Sequence, residues 1–235
     1  MFCRSRYRKF LLELNSFDYK FLFFNEIVNK NKFILLRHDI DADLGAALEL
    51  AKIEYDLNIK ATYFIMLRSP MYNVFSRSNL KIVKEILSLG HKLGLHFDAY
   101  KAHSDTLQNE INNEINILNT VFEVNISAVS FHQPCNLILE NHLKIEQINT
   151  YDKDDMKGIF YISDSNANER IFNISEIVKY EKVQILIHPM WWKDDMFIST
   201  QTTWNNVIID NFKREEIQLL ETERAYGSER CLKII

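Results

Sequence analysis

The sequence predicts an α/β fold in which helices separate parallel strands, closing as a barrel or an open sheet within one domain. Three observations carry that reading. Short, continuous apolar runs recur along the chain at strand length, as strands covered on both faces require. Stretches with the helical spacing of apolar residues lie between them. Successive strand-like runs end in a titratable side chain, and the carboxyl ends of parallel strands are where such folds assemble their sites.

Taken in order, Tyr7 to Leu14 reads as a helix, and residues 1–31 as an N-terminal helical extension. Lys32 to Leu36 is an apolar strand that opens the core, predicted to span 32–220 of a single domain covering 1–235. Leu44 to Asp56 is helical, with Leu44, Ala47, Leu48, Ala51 and Tyr55 on one face. Lys60 to Met66, rich in β-branched and aromatic residues, is a second strand. Asn79 to Leu89 is a helix ended by Gly90, placed as a C-cap glycine. Lys92 to Phe97 is a strand and Thr106 to Phe122 a long helix with Leu107, Ile111, Ile115 and Leu118 in register. Ile126 to Phe131, Ile159 to Ser163 and Val183 to Ile187 are further strands, and Trp204 to Leu220 is the closing helix. Asn136 to Lys157 is the least regular stretch and reads as an insertion.

Bulk properties exclude several classes. With 235 residues, 47% of them hydrophobic, the chain can bury a sizeable core. A net charge of -4 lacks the basic balance of nucleic-acid modules. The short cluster Arg4, Arg6, Arg8 and Lys9 reads as a solvated helix face. Cys3, Cys135 and Cys231 are widely spaced and odd in number, which fits a reducing compartment. Phe10 to Leu14 is too short an apolar run for a signal peptide, and no segment reaches the ~18 apolar residues of a membrane helix. A cytoplasmic protein is expected. Its oligomeric state is not legible in the sequence.

The chemistry sits at the strand ends. Asp39 and Asp41 follow the first strand, His96 and Asp98 end the third, and His132, Asp164 and His188 follow later ones. One histidine after a strand is ordinarily a core residue. Five strand ends finishing this way resist a packing explanation, because each buried charge costs several kcal/mol unless paired or metal-bound. Carboxylate and imidazole together suit Zn²⁺ or a similar divalent ion with an open position. A second carboxylate then serves as general base and a histidine as proton donor. No cysteine falls at these positions, and there is no Gly-rich phosphate loop or nucleophile elbow.

The segments RHDIDAD, KATYF, GHKLGLH, SFHQP, ISDS and ILIHP, in this order from about Lys32 to Trp192, resemble the polysaccharide deacetylase family, the NodB-homology domain of carbohydrate esterase family 4. The resemblance is to a divergent branch associated with lipopolysaccharide and surface-polysaccharide gene clusters. It implies a distorted (β/α)7 barrel and a metal-dependent deacetylase acting on a sugar. It places Asp39 on the catalytic base and His188 on the catalytic acid. Ile40 falls where the family's metal aspartate stands, so Asp41 is the expected ligand, with the two aspartate roles exchangeable. His96 matches the first histidine of the family's metal pair, but Tyr100 occupies the second. The third donor is open between His132, Asp98 and His103. His132, which replaces a family arginine near the base, is favoured. Asp164 corresponds to an aspartate that orients the acid histidine. His38 and Asp98 are expected around the site, and Trp191, with Trp192 beside it, as a surface for a sugar ring or equally as a hydrophobic cap on the barrel mouth.

Overall fold

Eight consecutive residues, Phe33 to Ile40, form one strand, and all eight are buried. The apolar run that predicts this strand stops at Leu36. The strand itself continues through Arg37, His38 and Asp39, because each of those polar side chains has a partner on its own face of the sheet. A computed structural model of the chain describes residues 1–99, 104–134, 138–139, 144–194, 198–223 and 226.

The elements run α1 (Arg4–Asn15), β1 (Lys20–Phe21), β2 (Phe33–Ile40), α2 (Leu44–Asp56), β3 (Thr62–Ile65), α3 (Arg77–Ser88), β4 (Lys92–Asp98), α4 (Ser104–Phe122) and β5 (Ala128–His132). Then come β6 (Ile148–Asn149), β7 (Phe160–Ser163), α5 (Ile174–Ile177), β8 (Lys182–Ile187) and α6 (Thr200–Thr222). Seven strands form one parallel path in the order β6-β5-β4-β3-β2-β8-β7, with β1 paired to β2 outside it. The path curls. In a flat sheet β6 and β8 would lie five spacings apart, about 24 Å at ~4.8 Å each. Instead Gln184 on β8 donates to the carbonyl of Thr150, just past β6, at 3.2 Å. Arg37 on β2 likewise reaches the Tyr151 hydroxyl at 2.9 Å. This is a half-barrel of the (β/α)7 kind.

The strand pleat divides the core in two. Ile34, Leu36, Tyr63, Ile65, Leu93, Leu95, Phe97, Val129, Val183, Ile185 and Ile187 face the helices and share one apolar cluster with α1 and α2. Phe33, Leu35, Phe64 and Ala128, of opposite parity, fill the lumen with Phe24. Phe2, Tyr7, Phe10, Leu11 and Leu14 of the N-terminal segment are buried in the helix-side cluster. The aromatic floor of the lumen requires a glycine on β4. A Cβ on Gly94 would stand 2.4 Å from the Phe64 ring.

Three elements escape sequence reading. β1 and β6 are two residues each, and α5 is a single turn. The buried face of α2 also differs from the predicted one: Glu54 is fully buried and Tyr55 is 57% exposed. Glu54 accepts hydrogen bonds from Tyr7 and from Tyr63 (2.7 Å), and its carboxylate lies 2.6 Å from His38 Nε2. Burial pushes the Glu54 carboxyl up, but His38, His91 and Tyr7 outweigh it and hold the group below its ordinary range. Gly90, at φ +87°, follows the C-cap of α3 in the left-handed region that favours glycine. Among the described residues no helix is long and apolar enough to cross a membrane.

Gly94→Ala should cost ~1–3 kcal/mol, the usual range for overpacking a tight core. Urea unfolding checks this. A variant as stable as the parent would show that the Phe64 ring can yield.

Candidate metal centre

The pleat of β2 puts Arg37, Asp39 and, one residue past the strand, Asp41 on the lumen side. Ile40 points the other way and is buried among the helix-side residues. The metal-type carboxylate is therefore two residues from Asp39 rather than one, because the intervening side chain belongs to the other face. The turn that presents Asp41 is tied down by hydroxyls from the loop after β3. Ser69 donates to the Asp41 carbonyl and Tyr72 to the Ile40 carbonyl, both at 2.8 Å.

Two adjacent strands bring histidines to Asp41. His96 on β4 places Nε2 3.0 Å from Asp41 Oδ1, and His132 at the end of β5 places Nδ1 3.2 Å from the same oxygen. One candidate ligand atom from each of the three residues lies within 4.8 Å of the others. Burial pushes the Asp41 carboxyl up, but the two imidazoles and His188 reverse the shift and hold it far below the carboxylate range. His132, which burial alone would push down, is raised by Asp41 and further by Asp98 and Asp39. The pocket thus favours positive charge at its centre. One carboxylate and two imidazoles, converging from three strand ends, are a donor set that fits a divalent ion.

Asp39 lies beside this group rather than in it. Arg37 grips it from two positions along the same strand, Nε to Oδ1 at 2.8 Å and Nη2 to Oδ2 at 2.6 Å. Both residues are at most 2% exposed. Ser130 donates to Asp39 Oδ1 at 3.2 Å, and His96 Nδ1 is 3.6 Å from Oδ2. Burial opposes ionisation, but Arg37 and His96 overcome it, so Asp39 stays charged.

On the other flank of β2, His188 follows the adjacent strand β8 with Nε2 3.9 Å from Asp41 Oδ2. Its Nδ1 is 2.6 Å from Asp164 Oδ1, and its backbone N–H donates to both oxygens of that carboxylate at 3.0 Å. Trp192 Nε1 closes the arrangement with a 2.7 Å bond to Asp164 Oδ2. Burial lowers the basicity of His188, but Asp164, Asp41 and Asp39 raise its pKa to about 9. The imidazole therefore carries a proton on both nitrogens at neutral pH, held in place by Asp164.

Other expected positions sort by face. Asp98 pairs in register with His132 and shares the parity of His96, so its charge is felt by the histidine without entering the group of three. His38 is not at the site: it lies on the helix side of β2, stacked on Tyr63 at 4.3 Å and paired with Glu54. The one-residue offset from Asp39 turns it to the opposite face. Trp191 is only 5% exposed and meets Trp204 of α6 edge-on, so it presents no open face to a sugar. The indole that touches the site is Trp192. Tyr100 and His103 lie outside the described residues. Sequence reading also missed Arg37 and Ser130. Both were discoverable by counting two residues back from Asp39 and from His132 along their strands.

No family profile and no curated protein sequence matches the chain. Solved structures are similar at low identity. BA3943 from Bacillus anthracis, a CE4 family pseudoenzyme, is 12% identical over 79% of this chain and 62% of its own, with a TM-score of 0.48. This chain therefore spans less than two thirds of that one. The chitin deacetylase of Colletotrichum lindemuthianum is 11% identical over 78% and 84% of the two chains, TM-score 0.46. The peptidoglycan deacetylase PdaC of Bacillus subtilis is 14% identical over 83% and 98%, TM-score 0.47.

The Arg37–Asp39 pair gives a direct test of the site's electrostatics. Arg37→Met leaves a buried carboxylate without its main counter-charge and should cost ~3–5 kcal/mol. Arg37→Met with Asp39→Leu removes both charges and should recover most of that loss. If denaturant unfolding shows the double variant no more stable than the single, the pair is not what holds this wall together.

Proposed function

We propose that the chain is a metal-dependent hydrolase that removes an acetyl group from an N-acetylated sugar of a surface polysaccharide or its precursor. The observation that carries this reading is the convergence of Asp41, His96 and His132 between a charged carboxylate, Asp39, and an oriented proton donor, His188. Asp41, His96 and His132 would hold the ion, zinc being the one the donor set suits best. When bound, such an ion supplies Lewis acidity toward the acyl oxygen and lowers the pKa of water.

The chain's own groups divide the proton work. Asp39 accepts a proton from the attacking water through Oδ2, which takes one hydrogen bond, from Arg37, whereas Oδ1 takes bonds from both Arg37 and Ser130. The bidentate grip of Arg37 keeps that carboxylate ionised and aimed. As the new C–O bond forms and the C–N bond breaks, His188 donates the proton on Nε2 to the departing amine. Asp164 stabilises the imidazolium before transfer and holds the ring in place through Nδ1. Hydrolysis so arranged releases acetate and a free amine. A cytoplasmic setting, suggested by the cysteine usage, favours a glycan precursor over a finished polymer.

The test is acetate release from a panel of N-acetylated sugars, O-acylated sugars and small amides, with bound zinc measured in parallel. Asp39→Asn should lower turnover ~10²–10⁴-fold, as loss of a general base does, and keep its zinc. His96→Ala should lose the zinc. An Asp39→Asn protein without metal would exchange the roles of the two aspartates. A parent protein that holds no divalent ion would end the enzymatic reading.

A further inference from the structure

We infer that Ser130 is a positioning residue that fixes the tautomer of His96 and so presents its Nε2 lone pair to the metal centre. The inference rests on the reading of Asp41, His96 and His132 as ligands, and goes beyond it by assigning the group that orients one of them.

The argument is one of donors and acceptors. His96 is 2% exposed and Ser130 fully buried, so water does not supply missing partners. His96 Nδ1 lies 2.6 Å from Ser130 Oγ, and Ser130 Oγ lies 3.2 Å from Asp39 Oδ1. Asp39 sits in a two-pronged ion pair with Arg37, where its carboxylate can only accept. The single hydroxyl proton of Ser130 therefore points to Asp39, leaving a lone pair toward His96. Nδ1 must then carry a hydrogen toward Ser130, and Nε2, which donates to Asp41 Oδ1 at 3.0 Å, is the nitrogen that would give up its proton to bind. The direct path from His96 Nδ1 to Asp39 is 3.6 Å, too long for a hydrogen bond, so the hydroxyl bridges a real gap.

The backbone explains why the bridge is built this way. His96 and Ser130 are register partners on β4 and β5, and His132 lies two residues beyond Ser130 on the same face. One short strand thus supplies both a ligand and the orienter of its neighbour's ligand. The chain from His96 through Ser130 and Asp39 to Arg37 also joins the binding group to the proposed base.

The experiment measures zinc affinity of the full chain by chelator competition for the parent, Ser130→Ala and Ser130→Thr. The alanine variant leaves the Arg37–Asp39 pair intact and should bind zinc ~10–100-fold more weakly, the usual effect of losing a ligand's hydrogen-bond partner. Threonine keeps the hydroxyl and should restore most of the affinity. The ¹⁵N spectrum of the zinc-loaded parent should show His96 protonated on Nδ1. It reads the tautomer without any variant, and so decides the matter alone if the alanine protein fails to fold. Unchanged affinity in Ser130→Ala, equal weakening in both variants, or a proton on Nε2 would overturn the inference while leaving the metal centre standing. A parent that binds no zinc would overturn both.

Discussion

A full positive charge lies in the lumen of this half-barrel, and the site is arranged around it. Arg37 is entirely buried and spends its Nε and Nη2 hydrogens on Asp39, two residues along the same strand. Taking both ions out of water costs several kcal/mol each, so the pair persists only with well-aligned bonds and further partners. Those partners exist for every atom of the pair except Arg37 Nη1, which is buried with no hydrogen-bond partner among the described residues. Tyr151 meets the guanidinium through its hydroxyl and its ring face, Phe64 lies beneath it, and Ser130 adds a bond to the carboxylate. The same contact from Arg37 to Tyr151 brings the β6 end of the sheet back across the lumen. One cation thus contributes both to the curl of the sheet, together with the Gln184–Thr150 bond, and to the ionisation of Asp39, together with His96.

From that pair the lumen reads as layers. An apolar floor of Phe33, Leu35, Phe64 and Ala128 gives way to the Arg37–Asp39 level, and then to Asp41, His96 and His132 at the strand ends. Each step up a strand is two residues, so the order of chemistry along the barrel axis is the order of alternate residues in β2, β4 and β5. On the β8 flank of β2, Asp164 gathers four hydrogen bonds from the His188 ring, the His188 backbone and Trp192. That carboxylate keeps a proton on the histidine facing Asp41.

Much of the element order was legible in the sequence, because most long strands contain an apolar core run and most long helices keep their period, although β2 runs on past its apolar stretch through Arg37, His38 and Asp39. β1 and β6 were not, since two residues carry no period. The strand ends were legible as places for chemistry, but the faces were not assigned. His38 is next to Asp39 in sequence, but the pleat turns it to the opposite face, toward Glu54. Arg37 lies just past the apolar run that ends at Leu36, so periodicity alone does not single it out; strand parity with Asp39 is what places it in the lumen. Apolar periodicity picks Tyr55 over its neighbour Glu54, and nothing in the sequence separates Trp191 from Trp192. In both cases the buried polar partner that decides the matter, His38 for Glu54 and Asp164 for Trp192, is distant in sequence.

The central claim is that three strand ends converge on one cation. It is tested most directly by a crystal structure of the zinc-soaked protein, with anomalous scattering collected at the zinc edge. The account predicts one strong peak about 2.0–2.2 Å from an Asp41 oxygen, His96 Nε2 and His132 Nδ1. A peak bound by a different set of residues, or no peak at Asp41, would contradict it.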